Sequence, residues 1–343
     1  MANTGIKFPL TIIAVSVAFG LLAAWMVLPA APAGFDWDDT WYLWMVEWFS
    51  GRETHEATAW YMMQSRQYPP LFPMLLSLTG QGLENLGNGL LLNVALLAAG
   101  TGVTMAWMVR DGMGMLAAVL GGLLLMFNPI ALTFIPTLMS EPLYILLTVT
   151  AMSLAASRDS ASRMWLLIGL LAALSVATRS AGWSLVAALV ISLAWQRKPA
   201  PLLTSLTGIL MGLVYLFILK SRLPEAHSYL EGYIDNLRHI DGAFVLAQLS
   251  ALWTGWVQLW GSAVGAAIAV ALVIPGWLSR LRAAQVDAWY ALVSLAMILS
   301  WPFPDQMSRF LWVLMPAFLV AAVHSLGTVS YTHLRAHETS RAI

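Results

Sequence analysis

The sequence predicts an all-α fold, a polytopic transmembrane helical bundle of about ten spans. The first observation is composition: 59% of the 343 residues are hydrophobic and only 10% are charged, whereas a soluble domain carries roughly 25% charged residues. The second is the recurrence of apolar runs of about 20 residues, the length that a helix needs to cross a bilayer core. The mean hydropathy of +0.75 agrees with both observations.

The predicted spans follow one another along the chain, separated by short polar breaks. The first run is longer than the roughly 7–15-residue core of a signal peptide, so we expect it to be retained as a helix. Segment 70–87 is shorter and is interrupted by Pro and Gly, which favours a half-buried or interfacial helix. In order, the predicted spans cover residues 8–28, 88–109, 113–135, 140–157, 164–179, 181–195, 201–219, 253–279, 286–303 and 309–327.

Basic residues in the short loops predict that the N-terminus faces the cytoplasm. Loops on the N-terminal side of the membrane hold eight basic and three acidic residues, whereas the opposite side holds seven basic and thirteen acidic residues before position 328. Loops 29–70 and 220–252 are then the long outward segments, and the first is expected to carry amphipathic interfacial helices. Zero net charge gives no indication of nucleic-acid binding, and the absence of Cys excludes disulfides, thiolate metal sites and a Cys nucleophile.

The polar C-terminal string TVSYTHLRAHETSRAI ends the membrane pattern abruptly after residue 327. It resembles translated adapter sequence of the kind found at the ends of reading frames assembled from short reads. We therefore expect residues 1–327 to form the transmembrane domain, truncated at its C-terminus, and residues 328–343 to be non-native. An ordinary basic cytoplasmic tail is the alternative interpretation.

The first motif is the acidic and aromatic stretch GFDWDDTWYLWMVEWFSG, residues 34–51. Asp39 and Tyr42 fall on one face of the predicted helix, with Asp38 on the flank, so Asp39 is predicted to face water or the protein body. The alternative is that the acids only stabilise the helix N-terminus, with Asp36 as the cap. The opposite face is a stripe suited to the headgroup region, formed by Trp37, Trp41, Trp44 and Trp48.

Four later motifs place more polar residues at predicted outer ends of spans. Arginine at the headgroups suits an anionic phosphate because it binds bidentately, and an acid at the membrane margin is a functional candidate. The alternatives are that Arg66 only anchors the chain and that Ser140 or Glu141 only caps a helix. The residues are Arg66 and Tyr68 in RQYPPLFP, Glu141 in SEPL, Arg179 in TRSAG and Arg309 in PDQMSRF.

All five motifs fall on the outer side of the predicted topology. Together they bring carboxylates and guanidinium groups to one membrane–water boundary. Such a set can bind a lipid-linked phosphate and remove a proton from an acceptor hydroxyl, and it can also line a solute pathway. The acids are Asp38, Asp39 and Glu141, and the cations are Arg66, Arg179 and Arg309.

The order of these motifs resembles that of the GT-C glycosyltransferases. The likeness is greatest to the bacterial protein-mannosyltransferase and aminoarabinose-transferase-like branch, which includes the dolichyl-phosphate-mannose-protein mannosyltransferase type. It covers roughly residues 8–327, and family members commonly continue with further helices or an outer domain. The segments that carry it are Asp38-Asp39-Thr-Trp-Tyr42, Gly51, Tyr68-Pro69-Pro70-Leu71, Ser140-Glu141-Pro142-Leu143, Thr178-Arg179 and Arg309-Phe310 followed by Pro316.

The resemblance implies a GT-C-like glycosyltransferase in the bacterial cytoplasmic (inner) membrane, with its active face outward. It would move a sugar from a polyprenyl-phosphate donor to a lipid, glycan or protein acceptor. By the same resemblance, Asp39 or its neighbour Asp38 is the catalytic acid, either as general base or as ligand of a divalent cation (Mg or Mn). Some members use such a cation and others do not, and two carboxylates without a clear third ligand leave this open.

The resemblance also implies roles for the remaining polar residues of the motifs. The candidates for binding the donor phosphate are Arg66, Tyr68, Arg179 and Arg309. Glu141 and Tyr42 are the candidates for contact with the sugar or the acceptor.

Two other functions remain open. A transporter or flippase for a lipid-linked or small solute predicts paired repeats and ionisable or Gly/Pro-broken segments near mid-membrane. The charges here cluster at one face and no internal repeat is apparent, which favours the enzyme. A non-catalytic membrane assembly factor predicts that replacement of Asp39 has no effect.

Overall fold

The structure, a computed structural model, describes residues 7–28, 37–51, 68–80, 86–157, 161–221, 234, 237–238 and 240–327. Within these ranges the chain is all-helical and contains no β-strand, which confirms the all-α prediction. Two 3₁₀ turns, Ser180–Gly182 and Pro304–Gln306, precede α9 and α14. The α-helices are α1 (Lys7–Val27), α2 (Trp37–Phe49), α3 (Leu71–Ser77), α4 (Gly87–Arg110), α5 (Met115–Phe127), α6 (Pro129–Phe134), α7 (Glu141–Ala155), α8 (Ser162–Thr178), α9 (Trp183–Trp195), α10 (Pro199–Ser221), α11 (Gly242–Leu259), α12 (Ala263–Arg282), α13 (Val286–Leu299), α14 (Met307–Trp312) and α15 (Met315–Gly327).

Several of these helices are suited to a membrane. Helices α1, α4, α10 and α12 are each long and apolar enough to cross one, and the segment from the second 3₁₀ turn through α15 makes a fifth span if its 61° bend is accepted. Five further apolar helices, α5, α7, α8, α9 and α13, are shorter than 18 residues. The chain is therefore of membrane type, while the number of ten spans stays a prediction.

The predicted span 113–135 is divided at Asn128. The Asn128 backbone is extended, and its side-chain oxygen accepts hydrogen bonds from the backbone N–H groups of Ile130 and Ala131, each at 3.0 Å. Pro129 occupies the first helical position, where its missing N–H costs nothing. The N-cap at Asn128 therefore starts α6 within a stretch that hydropathy alone predicts to be one span.

The predicted span 253–279 is divided in the same way. Gly261 adopts a positive φ of 73°, which glycine tolerates without strain, and the Ser262 hydroxyl then caps α12 by accepting from the Gly265 N–H at 3.0 Å. Helix α11 begins at Gly242, within the predicted outward loop 220–252, because the Asp241 side chain caps it by accepting from the Phe244 N–H at 2.7 Å. Within the described part of the predicted interfacial segment 70–87, α3 covers Leu71–Ser77, and α4 begins at Gly87.

The bundle is organised around α8, which packs against α3, α7, α9 and α10. Helix α4 joins α1, α5 and α7, and α13 packs against α9 and α12. The α8–α10 contact is close because glycines face each other across it. A Cβ added at Gly169 would lie 2.0 Å from the Ser205 carbonyl oxygen, and one added at Gly208 would lie 2.2 Å from the Leu166 carbonyl oxygen.

One end of the bundle is held by a buried ion-pair cluster around Arg280 of α12. Its guanidinium donates to both carboxylate oxygens of Asp287, at 2.7 and 3.0 Å, and to Asp111 at 2.9 Å. The Trp107 ring lies 5.8 Å from the guanidinium carbon. The cluster therefore joins α4, α12 and α13 where two predicted cytoplasmic loops meet, the one after α4 and the one between α12 and α13.

Replacing Arg280 by Ala is expected to destabilise the protein by about 3–5 kcal/mol, because Asp287 would remain buried without its cation. Thermal unfolding of the purified protein in detergent measures the effect. Arg282→Ala is the matched control, since Arg282 lies two residues further along the same helix and is exposed. Equal melting temperatures for the two variants would contradict a structural role for the cluster.

Candidate functional site

At the opposite end of the bundle, each of the five predicted motifs contributes at least one side chain to a single polar network. The network is held by hydrogen bonds and ion pairs between residues as much as 271 positions apart. Its members come from α2, the segment before α3, the first turn of α7, the end of α8 and α14. They are Asp38, Tyr68, Glu141, Arg179 and Arg309.

Glu141 is the centre of the network, and its side chain is only 1% exposed. Its Oε1 atom accepts from Nε of Arg309 and from Nη1 of Arg179, the latter at 2.7 Å. Oε2 has no hydrogen-bond partner within the described part of the chain. An acid in the first turn of α7 is also favoured by the helix dipole, so Glu141 stabilises the helix start and holds two cations.

Ser140 does not cap α7 through its side chain. Instead its hydroxyl pairs with the Tyr42 hydroxyl at 2.9 Å and accepts from Nη1 of Arg179 at 3.1 Å. Ser140 was only a possible cap in the sequence, and the structure makes it a link between α2 and the end of α8.

Arg309 bridges two carboxylates. Besides Glu141, its guanidinium donates to Oδ2 of Asp38 at 2.6 Å, and it lies over the Phe134 ring at 5.6 Å. Close packing of α11 against the start of α14 sets its position, because a Cβ added at Gly255 would come within 2.8 Å of the Ser308 nitrogen. Arg309 is therefore buried behind the carboxylates that it holds.

The two adjacent acids of α2 have different surroundings. Asp39 is 2% exposed and faces the protein body together with Tyr42 and Val46, which are also buried. Asp38 retains 19% exposure of its side chain, and its Oδ1 accepts from the Tyr68 hydroxyl at 3.0 Å. Asp38 lines the cavity beside the network, and Asp39 does not.

Tyr42 lies under this pair of acids. Its ring meets the rings of Tyr68 and Phe72 edge to face, with centroids 5.6 and 5.1 Å apart. Burial raises the pKa of the Tyr42 hydroxyl, and the negative charge of Asp38 acts in the same direction. The hydroxyl is therefore protonated at neutral pH and available as a hydrogen-bond donor.

Arg179 reaches the network because α8 ends at Thr178 and the next residue is extended, with φ −151° and ψ 143°. The 3₁₀ turn that follows is pressed against the end of α8: a Cβ added at Gly182 would lie 2.3 Å from the Val176 nitrogen. This tight turn directs the Arg179 side chain toward Glu141.

Arg66 and Asp36, which the sequence analysis also considered, lie outside the described residues. Among the residues that the structure does describe, no group of three His, Cys, Asp or Glu side chains is placed to hold a metal ion. The predicted divalent cation therefore stays a prediction, with Asp38 as the network carboxylate that reaches the cavity.

A cavity of about 630 Å³ opens beside the network, within the range that accommodates small-molecule ligands. Its walls differ in character. The polar lining includes Asp38, Tyr42, Tyr68 and Arg179. The apolar wall is formed by residues from α13 to the start of α15, among them Met297, Trp301, Phe310 and Leu314.

A third group of lining residues consists of hydroxyls that the sequence reasoning missed. They lie inside the predicted spans 140–157, 181–195 and 286–303, where attention went to the charged residues at the ends. The spacing of Tyr290 and Ser294 puts both on one face of α13. This spacing was the one feature of the sequence that could have indicated the hydroxyl group. The group is Tyr144, Ser184, Tyr290 and Ser294.

Comparison of the chain with protein-family models, with curated proteins and with solved structures found no match. The resemblance to the GT-C glycosyltransferases therefore rests on the residues and the order of the motifs, and the function has to be argued from the site.

Proposed function

We propose that the protein is a GT-C-like membrane glycosyltransferase of about ten spans, which moves a sugar from a polyprenyl-phosphate donor to a lipid, glycan or protein acceptor. The observation that carries the proposal is the composition of the cavity wall. A carboxylate and a guanidinium, Asp38 and Arg179, line the same cavity as a broad apolar wall. A lipid-linked sugar phosphate has the matching parts: an apolar chain, an anion and a hydroxylated sugar.

Arg179 is the cation that we assign to the donor phosphate. It lines the cavity with 15% of its side chain exposed, whereas Arg309 is 4% exposed and does not line it. The Tyr68 hydroxyl donates to Asp38 in the free protein, and it can turn its one proton to a phosphate oxygen when the donor binds in the cavity. Arg309 acts through the carboxylates, because its guanidinium holds Asp38 in place.

Asp38 is the residue that we assign as general base. It takes the proton of the acceptor hydroxyl while the acceptor oxygen bonds to the anomeric carbon of the sugar. The bond from that carbon to the phosphate oxygen breaks, and polyprenyl phosphate leaves with the bonding electrons. Asp39, the first candidate from the sequence, faces the protein body and would support α2 rather than meet the substrate. If a divalent cation is bound, Asp38 would hold it at the cavity.

A transporter or flippase for a lipid-linked solute is the second candidate. The observation in its favour is the 61° bend between α14, which carries Arg309, and α15. Discontinuous helices form the binding sites of many transporters. Such a protein would bind the same lipid and leave its sugar–phosphate bond intact.

One experiment separates the two candidates. The 343-residue protein in lipid nanodiscs is incubated with farnesyl phosphoryl hexoses, and a bacterial membrane extract supplies the acceptor. The glycosyltransferase releases farnesyl phosphate and moves labelled sugar to the extract. Binding of the lipid without release, together with its translocation across liposomes that contain the protein, would establish the transporter and overturn the enzyme.

The side of the membrane on which the site lies can be tested by labelling introduced cysteines, since the chain contains no Cys of its own. Ser50→Cys at the end of α2 and Lys198→Cys at the start of α10 both introduce an exposed thiol. In intact cells an impermeant maleimide is expected to label position 50 and to leave position 198 unlabelled. The reverse pattern would overturn the cytoplasmic N-terminus.

A further inference from the structure

We propose that four buried hydroxyls inside the bundle form a subsite for the sugar unit, and that this sugar is uncharged. The subsite consists of Tyr144 of α7, Ser184 of α9, and Tyr290 and Ser294 of α13. The inference rests on the proposed function and deepens it, because it assigns a chemical class to the transferred sugar.

The hydroxyls form two hydrogen-bonded pairs between different helices. The Tyr290 hydroxyl donates to the Tyr144 hydroxyl at 3.1 Å, and the Ser294 hydroxyl donates to the Ser184 hydroxyl at 2.8 Å. All four residues line the cavity and are at least nine-tenths buried. The cavity therefore has a floor of hydroxyls on helices whose other cavity-lining side chains are uncharged.

Hydroxyl groups suit a sugar better than they suit an ion. Each carries one donor and two acceptor positions and can rotate to match its partner, and a paired hydroxyl retains capacity for a third group. Sugar hydroxyls have the same dual character. The charged residues among the described lining are Asp38, Arg179 and Asp305, and none of them belongs to the helices that form this floor.

An ionised sugar would be costly at this place. An ammonium or carboxylate group needs a counter-ion when it is buried in an apolar surrounding. Hydroxyls cannot neutralise it, whereas they can satisfy the hydrogen bonds of a neutral ring. The geometry therefore favours a neutral hexose or pentose over an amino sugar or a uronic acid.

The position of the subsite agrees with a sugar phosphate bound at Arg179. Tyr144 lies three residues beyond Glu141 on α7, and Ser184 lies five residues beyond Arg179. One helical turn rises about 5.4 Å, which is close to the width of one sugar ring. With the phosphate at Arg179, the sugar can thus extend toward the hydroxyls.

The competing explanation is that the hydroxyls only join helices. Hydrogen bonds between side chains of neighbouring helices are common in membrane proteins. This explanation predicts an effect on stability and none on the recognition of sugar, so a pair of ligands that differ only in the sugar can separate the two.

The experiment measures binding of farnesyl phosphate and of farnesyl phosphoryl mannose, glucose and galactose to the full 343-residue protein in nanodiscs. Tyr290→Phe and Ser294→Ala each remove one hydroxyl. We expect each to weaken binding of at least one hexose-bearing lipid about 3–10-fold and to leave the affinity for farnesyl phosphate unchanged. Ser192→Ala is the matched control, because its hydroxyl bonds to the Ala284 carbonyl at the opposite end of the bundle.

Two results would overturn the subsite. One is an equal change in affinity for farnesyl phosphate and for all the hexose-bearing lipids, which would leave the hydroxyls as helix contacts only. The other is tighter binding of farnesyl phosphoryl 4-amino-4-deoxyarabinose than of every neutral lipid tested. The binding measurement does not require turnover, so the two proposals can fail separately. If the variants lose affinity for the hexose-bearing lipids but the protein transfers no sugar, the proposed enzyme is refuted and the sugar subsite stands.

Discussion

Asp38→Asn is expected to lower sugar transfer by about 10²–10⁴-fold, the usual contribution of a general base. Asparagine keeps the shape of the side chain, and its amide oxygen can still accept from Arg309 while its NH₂ group donates to the Tyr68 hydroxyl. It cannot, however, take a proton from the acceptor. Arg309 retains Glu141 as a buried counter-ion. The variant should therefore fold, and it should fail in the chemical step.

The measurement is release of farnesyl phosphate in nanodiscs, with size-exclusion profiles recorded for the same preparations. Asp39→Asn and Asp305→Asn are the matched controls, since the first is the neighbour that faces the protein body and the second is an exposed carboxylate that also lines the cavity. Both should retain most of the activity. Full activity in Asp38→Asn with loss in Asp39→Asn would return the catalytic role to Asp39.

Glu141→Ala is expected to destabilise the protein by about 3–5 kcal/mol, because one carboxylate neutralises two guanidiniums at the centre of the network. Without it, Arg179 loses its ion pair and Arg309 keeps only Asp38. Arg309→Ala should cost less, since Glu141 would still be paired with Arg179 and Asp38 is partly exposed.

Thermal unfolding in detergent tests this order, with Asp305→Ala as an exposed acid at the same end of the bundle. Glu141→Gln separates charge from shape, because the amide oxygen can still accept one hydrogen bond while the charge is lost. A Glu141→Ala protein as stable as the Asp305→Ala protein would show that the two arginines do not depend on this carboxylate.

Two long apolar runs show where hydropathy alone was insufficient to predict the helix boundaries. Hydropathy alone joins residues 113–135 and residues 253–279, because the breaking residues are few and stand among apolar neighbours. The local signals were present, as Asn128-Pro129 and as Gly261-Ser262. Each provides a cap or a turn, and capping chemistry prevails over hydropathy at these points.

The choice between the two acids of α2 could be made only in the folded chain. The helical spacing correctly put Asp39 on the face opposite the Trp stripe, toward water or the protein body. Which acid reaches a cavity depends on how far α2 is rotated against α7 and α14, and neighbouring residues on a helix point about 100° apart. That rotation is set by packing between elements distant in sequence.

By itself, the sequence determined the all-α, membrane-type class and the segments that supply the polar residues, because composition and short motifs are local properties. Tertiary structure decided that Arg309 holds both Asp38 and Glu141, and that Tyr144, Ser184, Tyr290 and Ser294 meet at one cavity. The hydrogen bonds concerned join residues as far apart as 110 and 271 positions in the sequence. Local preference cannot bring such residues together, whereas helix packing can.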